Sequence, residues 1–265
     1  MKRHIPVLLF VITLIVTACN NSSTTGTQLA LQPAGEAWGA LYQQQAAEYK
    51  ALCFQAYTIA RLRLDQQLSA RSNKPLAIIT DIDETVLDNS PYFSKLAREG
   101  KVYSDSSWIS WTAQVKCDTV PGAYKFLKYA SSKGVTIFYI TNRFQRELLP
   151  TVENLHKWKL PNADTTHVLL LNSNDNSKES RRLSIEKGHE ILLLIGDNLG
   201  DFNKYFDHLN NQDRSLHAQS KADLFGLKFI VLPNSMYGSW EDVFYKGQNV
   251  NSIQKQNQIL LNHLK

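Results

Sequence analysis

The chain has 265 residues, enough to bury a sizeable core in one large domain or a domain with an insertion. Hydrophobic residues make up 43%, charged residues 20% and aromatic residues 10%, which excludes a disordered chain. The net charge of +5 is small and scattered. Its densest basic cluster, "SKESRR", is interrupted by Glu179, and no basic stripe with regular aromatics occurs, so nucleic acid is excluded as a partner.

Lys2 and Arg3 precede an apolar run from Ile5 to Val16, and "VTAC" closes it. The run is too short to span a bilayer stably and reads as a signal peptide over residues 1–18. Its end resembles a bacterial lipobox, with small residues before Cys19. That resemblance implies that Cys19 becomes the lipidated first residue of an exported chain, held on a membrane surface without a spanning helix. Asn20 in the next position favours, by the same resemblance, an outer membrane or periplasmic face. The stretch "NNSSTTGT" makes residues 19–35 a polar, flexible tether.

Residues 36–70 predict one long amphipathic helix. Trp38, Leu41, Tyr42, Tyr49, Leu52, Cys53, Ala56, Ala60 and Leu64 recur at helical spacing, as a stripe that packs on a core would. Cys53 on that face is expected to be a buried free thiol, although an exported chain offers the alternative of a bond to Cys117. Next come strand-length apolar runs at 76–80, 135–140, 167–171, 191–195 and 228–232, separated by helical patterns. Continuous rather than alternating hydrophobicity means strands covered on both faces. The fold class is therefore α/β, a Rossmann-like parallel sheet with helices on both faces.

The interval between the first two strands is too long for a crossover alone. "GAYKFLKYASSKG" supplies the crossover helix, and residues 92–118 are left over as a small cap inserted after the first core strand. The body of the domain spans 36–250, and residues 251–265 predict a helical tail.

In open parallel sheets the binding crevice lies beyond the carboxyl ends of the strands. The first strand there delivers Asp81 and Asp83, the second Thr141, Asn142 and Arg143. The third leads through a polar loop to Lys178, and the fourth delivers Asp197 and Asp201. Singly, each has a structural reading: Thr141 as a helix cap, Lys178 as a solvated charge, Asp197 and Asp201 as loop residues. Together they suit phosphoryl transfer. A carboxylate can attack phosphorus and split one displacement into two easier ones. A divalent cation relieves crowded carboxylates and neutralises phosphoryl oxygens, and hard oxygen ligands point to Mg²⁺ rather than zinc. Lys178 and the Thr141 hydroxyl would hold the remaining phosphoryl oxygens.

The motifs "DIDET", "ITNR", Lys178 and "GDNLGD" resemble those of the haloacid dehalogenase-like phosphohydrolases. The resemblance implies Asp81 as nucleophile and Asp83 as general acid and base, with Thr141, Asn142 and Lys178 binding phosphate. It implies Mg²⁺ on the Asp81 carboxylate, the Asp83 backbone carbonyl and Asp197, with Asp201 completing the acidic end. The lipobox, "EYKAL", "QAY", "DIDETVLDNSPY", "WISW", "VPGA" and "MYGSWE" narrow it. Together they resemble the class C acid phosphatases of the lipoprotein e family, from the leader to about residue 245. This implies an acid phosphatase acting on small phosphomonoesters, chiefly nucleoside 5′-monophosphates, with Trp108 and Tyr237 stacking on either side of the base. Trp111 is expected only to pack the cap. The resemblance leaves a homo-oligomer open. The competing readings are a phosphotransferase or phosphonate-cleaving enzyme on the same scaffold, and a non-catalytic surface lipoprotein with a structural Mg²⁺ or Ca²⁺ site.

Overall fold

The computed structural model describes residues 30–69, 72–172, 175, 177–250 and 252–264. The expected signal peptide, Cys19 and most of the expected tether lie outside the described residues. Among the described residues, no helix is long and apolar enough to cross a membrane.

The helix expected over 36–70 is two helices, α1 (Ala34–Gln45) and α2 (Ala47–Gln67). Ala46 between them is extended, at φ −77° and ψ 128°. The break decouples the faces of the two helices. α2 buries Tyr49, Cys53, Ala56, Tyr57, Ala60 and Leu64. α1 instead buries Glu36, Gly39, Ala40 and Gln43. The expected apolar stripe is thereby corrected: Trp38, Leu41 and Tyr42 face solvent, and Leu52 lies on the exposed flank of α2.

β1 (Leu76–Thr80) follows, then the two-residue strand β2 (Leu87–Asp88), α3 (Ser90–Arg98), α4 (Asp105–Thr112) and the equally short β3 (Asp118–Thr119). The remaining elements alternate: α5 (Ala123–Ser132), β4 (Thr136–Phe144), α6 (Leu148–Lys157), β5 (Val168–Leu171), α7 (Glu179–Glu186), β6 (Glu190–Gly196), α8 (Asn211–Ser220) and β7 (Phe229–Val231). α9 (Ser239–Tyr245) and α10 (Ile253–Leu261) are the last elements among the described residues.

Five strands form one sheet in the order β5-β4-β1-β6-β7. Every neighbouring pair is parallel. Successive side chains alternate faces, which separates two cores. Ile78, Ile137, Tyr139 and Leu193 pack with α2 and α5 on one face. Ala77, Ile79, Phe138 and Leu194 pack with Ile185, Phe202 and Phe229 on the other. The chain leaves β1 toward β4 on one side and returns to β6 on the other. The order of strands therefore reverses beside β1, where such sheets open a crevice.

The surplus segment 92–118 holds most of α3, all of α4 and the first residue of β3. β2 and β3 pair as an antiparallel ribbon under α3 and α4. Its core, however, is not its own. Tyr92, Phe93, Leu96 and Trp108 close around Ala40 of α1 and Met236, which follows β7. Gly39 allows this approach, since a Cβ there would stand 2.9 Å from Met236 Cγ. Cys53 and Cys117 are both buried free thiols, so no disulfide joins them.

Candidate active site

The first strand ends with the Asp81 N–H donating to the Ile195 carbonyl of β6, at 2.8 Å. The chain then turns tightly, with the N–H groups of Val86 and Leu87 donating to the Ile82 carbonyl at 2.8 Å and Glu84 in the left-handed region at φ 56°. The turn holds the side chains of Asp81 and Asp83 at the crevice beside β6. Lys178 sits at the start of α7, and its ammonium donates to Asp81 Oδ1 and, at 2.6 Å, to Asp201 Oδ1. Asp197 leaves the end of β6 and accepts from Asn234 Nδ2 at 2.8 Å. The Thr85 hydroxyl lies 3.3 Å from Asp81 Oδ2 and 3.4 Å from Asp197 Oδ1. Asp201 comes this close only because residue 196 is glycine, where a Cβ would stand 2.3 Å from Asp201 Oδ2.

Asp81, Asp197 and Asp201 each offer one carboxylate oxygen, and these oxygens lie within 4.8 Å of one another. Burial pushes the Asp81 carboxyl up to about 7; Lys178 opposes this, while Asp201 and Asp83 add to it. Burial, then Asp81 and Asp201, raise Asp197 well above the usual carboxylate range. Three carboxylates against one ammonium leave two negative charges when all are ionised. A buried set of hard oxygens with that deficit fits a divalent cation such as Mg²⁺.

Asp83 is held separately. Arg143 Nη2 donates to its Oδ1 at 2.7 Å, and Nε lies 3.2 Å from both carboxylate oxygens. Thr141 Oγ1 donates to Asp83 Oδ2 at 3.2 Å, and Asn89 Nδ2 to Oδ1 at 2.9 Å. Thr141 therefore binds Asp83, while the exposed Asn142 accepts from Arg181 at 3.1 Å. Asn89 accepts in turn from Trp111 Nε1 at 2.9 Å. Trp111 thus does more than pack the cap: it positions a donor to Asp83.

Several residues take roles here that the sequence did not assign to them. Arg143 lies inside "ITNR", so the motif carried it, but its role as the partner of Asp83 needs the fold. Arg182 donates to the carbonyls of Gly200 and Asp201, at 2.8 and 3.0 Å, and fixes the loop that carries Asp201. Glu84 is fully buried and accepts from the Tyr237 hydroxyl, which ties the turn after β1 to the loop after β7. Burial raises Glu84 well above the usual range, with Asp83 adding to it and the Tyr237 bond opposing.

A cavity of about 910 Å³ opens over the carboxylates and includes Asp81, Asp83, Lys178, Asp197 and Asp201 in its wall. Trp108 and Tyr237 line the same cavity, with Phe93 and Tyr103. Trp108 stands edge-on to Tyr92, ring centroids 5.2 Å apart. Tyr237 stacks on Phe93 at 4.9 Å and 24°, which covers one face of its ring. Cys19 lies outside the described residues.

The family model of the HAD superfamily, subfamily IIIB (acid phosphatase), matches residues 15–240. Acid phosphatase 1 of Solanum lycopersicum is 28% identical over 136 residues, 46% of this chain and 50% of that protein. The stem 28 kDa glycoprotein of Glycine max is 25% identical and covers 60% of this chain and 62% of its own length. The chain thus spans half to about three-fifths of the curated relatives it matches. The solved class C acid phosphatase of Bacillus anthracis is 38% identical, covering 89% of this chain and 99% of that one at a TM-score of 0.85. The same phosphatase with tungstate bound aligns at 37% identity and a TM-score of 0.83. The parallel sheet with helices on both faces is the fold they share. The chain belongs to the acid phosphatases of HAD superfamily subfamily IIIB, a family of phosphomonoester hydrolases.

Proposed function

We propose that this chain is a Mg²⁺-dependent acid phosphatase that works through an aspartyl-phosphate on Asp81 and prefers nucleoside 5′-monophosphates. The observation that carries the reading is the convergence of the Asp81 carboxylate, the Lys178 ammonium and Asp83 in one cleft beside the acidic set of Asp197 and Asp201. Tungstate, bound in the related Bacillus anthracis structure, is a tetrahedral oxyanion of phosphate shape, which supports the same substrate class.

The Asp81 carboxylate attacks phosphorus as the bond to the ester oxygen breaks, and Asp83 gives its proton to that oxygen. In the second step Asp83 takes a proton from water. The water oxygen then attacks the same phosphorus, releasing inorganic phosphate and restoring Asp81. Lys178 turns its donors to the phosphoryl oxygens, where charge must be held during transfer. Asp81, Asp197 and Asp201 would hold Mg²⁺, whose charge neutralises both the carboxylates and the phosphoryl group. The first step needs Asp83 protonated while Asp81 is ionised, although burial raises Asp81 to about 7 and Arg143 pairs with Asp83 as a carboxylate. A bound divalent cation would supply the charge that ionises Asp81 at acid pH, and activity is then lost as pH rises and Asp83 gives up its proton.

Trp108 and Tyr237 supply the base preference. Stacking is worth roughly 1–3 kcal/mol per base, so Trp108→Ala or Tyr237→Ala should lower kcat/KM for a 5′-nucleotide about tenfold. Glycerol phosphate, which has no ring, should be spared. Equal losses on both substrates would reduce the two rings to cap packing and the enzyme to an unspecific acid phosphatase.

Export and lipidation at Cys19, with attachment to an outer membrane or periplasmic face, belong to the same reading and rest on the leader sequence. A Cys19→Ser chain that still partitions into detergent as the parent does would refute the anchor.

A further inference from the structure

The solvent face of α1 is apolar and uncharged. Its exposed positions are Ala34, Gly35, Trp38, Leu41, Tyr42 and Gln45, and none is charged. Trp38 is 72% exposed, Leu41 48% and Tyr42 39%. The one charged residue of the helix, Glu36, is turned inward and buried. Glu36 is also the only charged residue between Cys19 and Glu48. Exposing a tryptophan, a leucine and a tyrosine on one uncharged face is costly in water and marks a surface that something covers.

The position of the helix says what. α1 begins 15 residues after Cys19, a distance the chain spans in at most about 50 Å even fully extended. It is therefore the first helix of the described chain that an anchored Cys19 brings to the bilayer. Tryptophan and tyrosine favour the boundary between headgroups and acyl chains, where the ring is buried and its polar edge stays wet. No charge on this face has to be dehydrated for it to settle there.

We infer that the Trp38–Leu41–Tyr42 face of α1 lies against the lipid bilayer as a second, non-covalent contact beside the Cys19 lipid. The inference rests on the anchor proposed above. A second contact on the same chain acts as an intramolecular partner to the anchor.

The test uses the full-length chain extracted from membranes and reconstituted into phosphatidylcholine vesicles, with plain or brominated acyl chains. Co-flotation reads the anchor; tryptophan emission reads α1, because bromine quenches an indole only at contact. Trp38 is one of five tryptophans, so brominated lipid should remove up to about a fifth of the parent's emission. It should remove none from Trp38→Phe. A parent that co-floats with equal emission in both lipids keeps its anchor and overturns the α1 contact. Equal quenching in parent and variant overturns it as well, since another tryptophan would then be the one in lipid. An unquenched parent that sediments as a dimer, and as a monomer once Leu41→Glu is introduced, assigns the face to a second copy instead. Failure to co-float removes the anchor and the contact together.

Discussion

Arg143 is 1% exposed and Asp83 14% at the side chain, and between them stand a 2.7 Å bond and two at 3.2 Å. Arg143→Met removes the guanidinium and leaves a nearly buried carboxylate facing only Thr141 and Asn89. Breaking one side of a buried pair costs about 3–5 kcal/mol. The partial exposure of Asp83 and its two remaining donors place this case near the lower end, at about 3 kcal/mol. For a chain of this size each kcal/mol is worth about 2–4 °C, so Arg143→Met should lower Tm by about 6–12 °C at neutral pH. Arg143 also donates to Thr151 Oγ1 at 3.1 Å and lies 5.9 Å from the Trp108 ring, so a single variant would not isolate the pair. A double-mutant cycle does, because those losses are common to both legs. With Asp83→Asn in the background, Arg143→Met should cost about 2 kcal/mol less than it does alone, measured by urea or thermal unfolding. An identical cost in both backgrounds would show that Arg143 is held by Thr151 and Trp108 and does not clamp Asp83.

Asp81→Asn should abolish phosphate release, by about three orders of magnitude or more, with Tm held or raised; an amide neither attacks phosphorus nor carries charge into the buried cluster. Phosphate release at the parental rate by the folded variant would end the proposed mechanism. Chelation should remove activity, with Mg²⁺ restoring it; full activity after exhaustive chelation would mean that the carboxylates work with Lys178 alone. Glu36 is a further buried carboxyl in the wall of the same cavity. Burial, with Glu241 adding and the Gln32 amide opposing, pushes its carboxyl from the ordinary 4.5 up to about 8. The folded chain thus holds this proton more tightly than the unfolded one, so stability is complete below pH 4.5 and declines as pH rises toward 8. Glu36→Gln should flatten that decline in Tm, and an unchanged slope would place the pH dependence elsewhere.

The five core strands were legible because residues covered on both faces leave long apolar runs, such as "ILLLI" ahead of Gly196. The paired Asp81 and Asp83 were legible because charge at the end of such a run is costly without a purpose. The break at Ala46 was not. "QQQAAEYKA" contains neither glycine nor proline, and only the docking of α1 on Ala40's cap neighbours decides it. Once that break was missed, Trp38, Leu41 and Tyr42 fell on the wrong face. Arg143 was visible as a residue but not as a partner, since its bond to Asp83 spans 60 positions and depends on the pairing of β1 with β4. Asn89 was hidden because its place between Asp83 and Trp111 depends on how α4, 22 positions on, packs against the turn.

The cap's borrowed core has a consequence for the order in which the chain can fold. Ala40 and Met236 meet in one cluster although roughly 200 residues separate them, and Tyr237 reaches back to Glu84 from the same loop. Contacts of such long sequence separation carry the largest loop-closure cost and form late. A chain that has emerged only as far as β4 can already pair β1 with it. The crevice still lacks Lys178, Asp197 and Asp201 at that stage, and its aromatic roof has no floor until the loop after β7 arrives. The substrate cavity is therefore completed late, when the loop after β7 meets α1 and the cap.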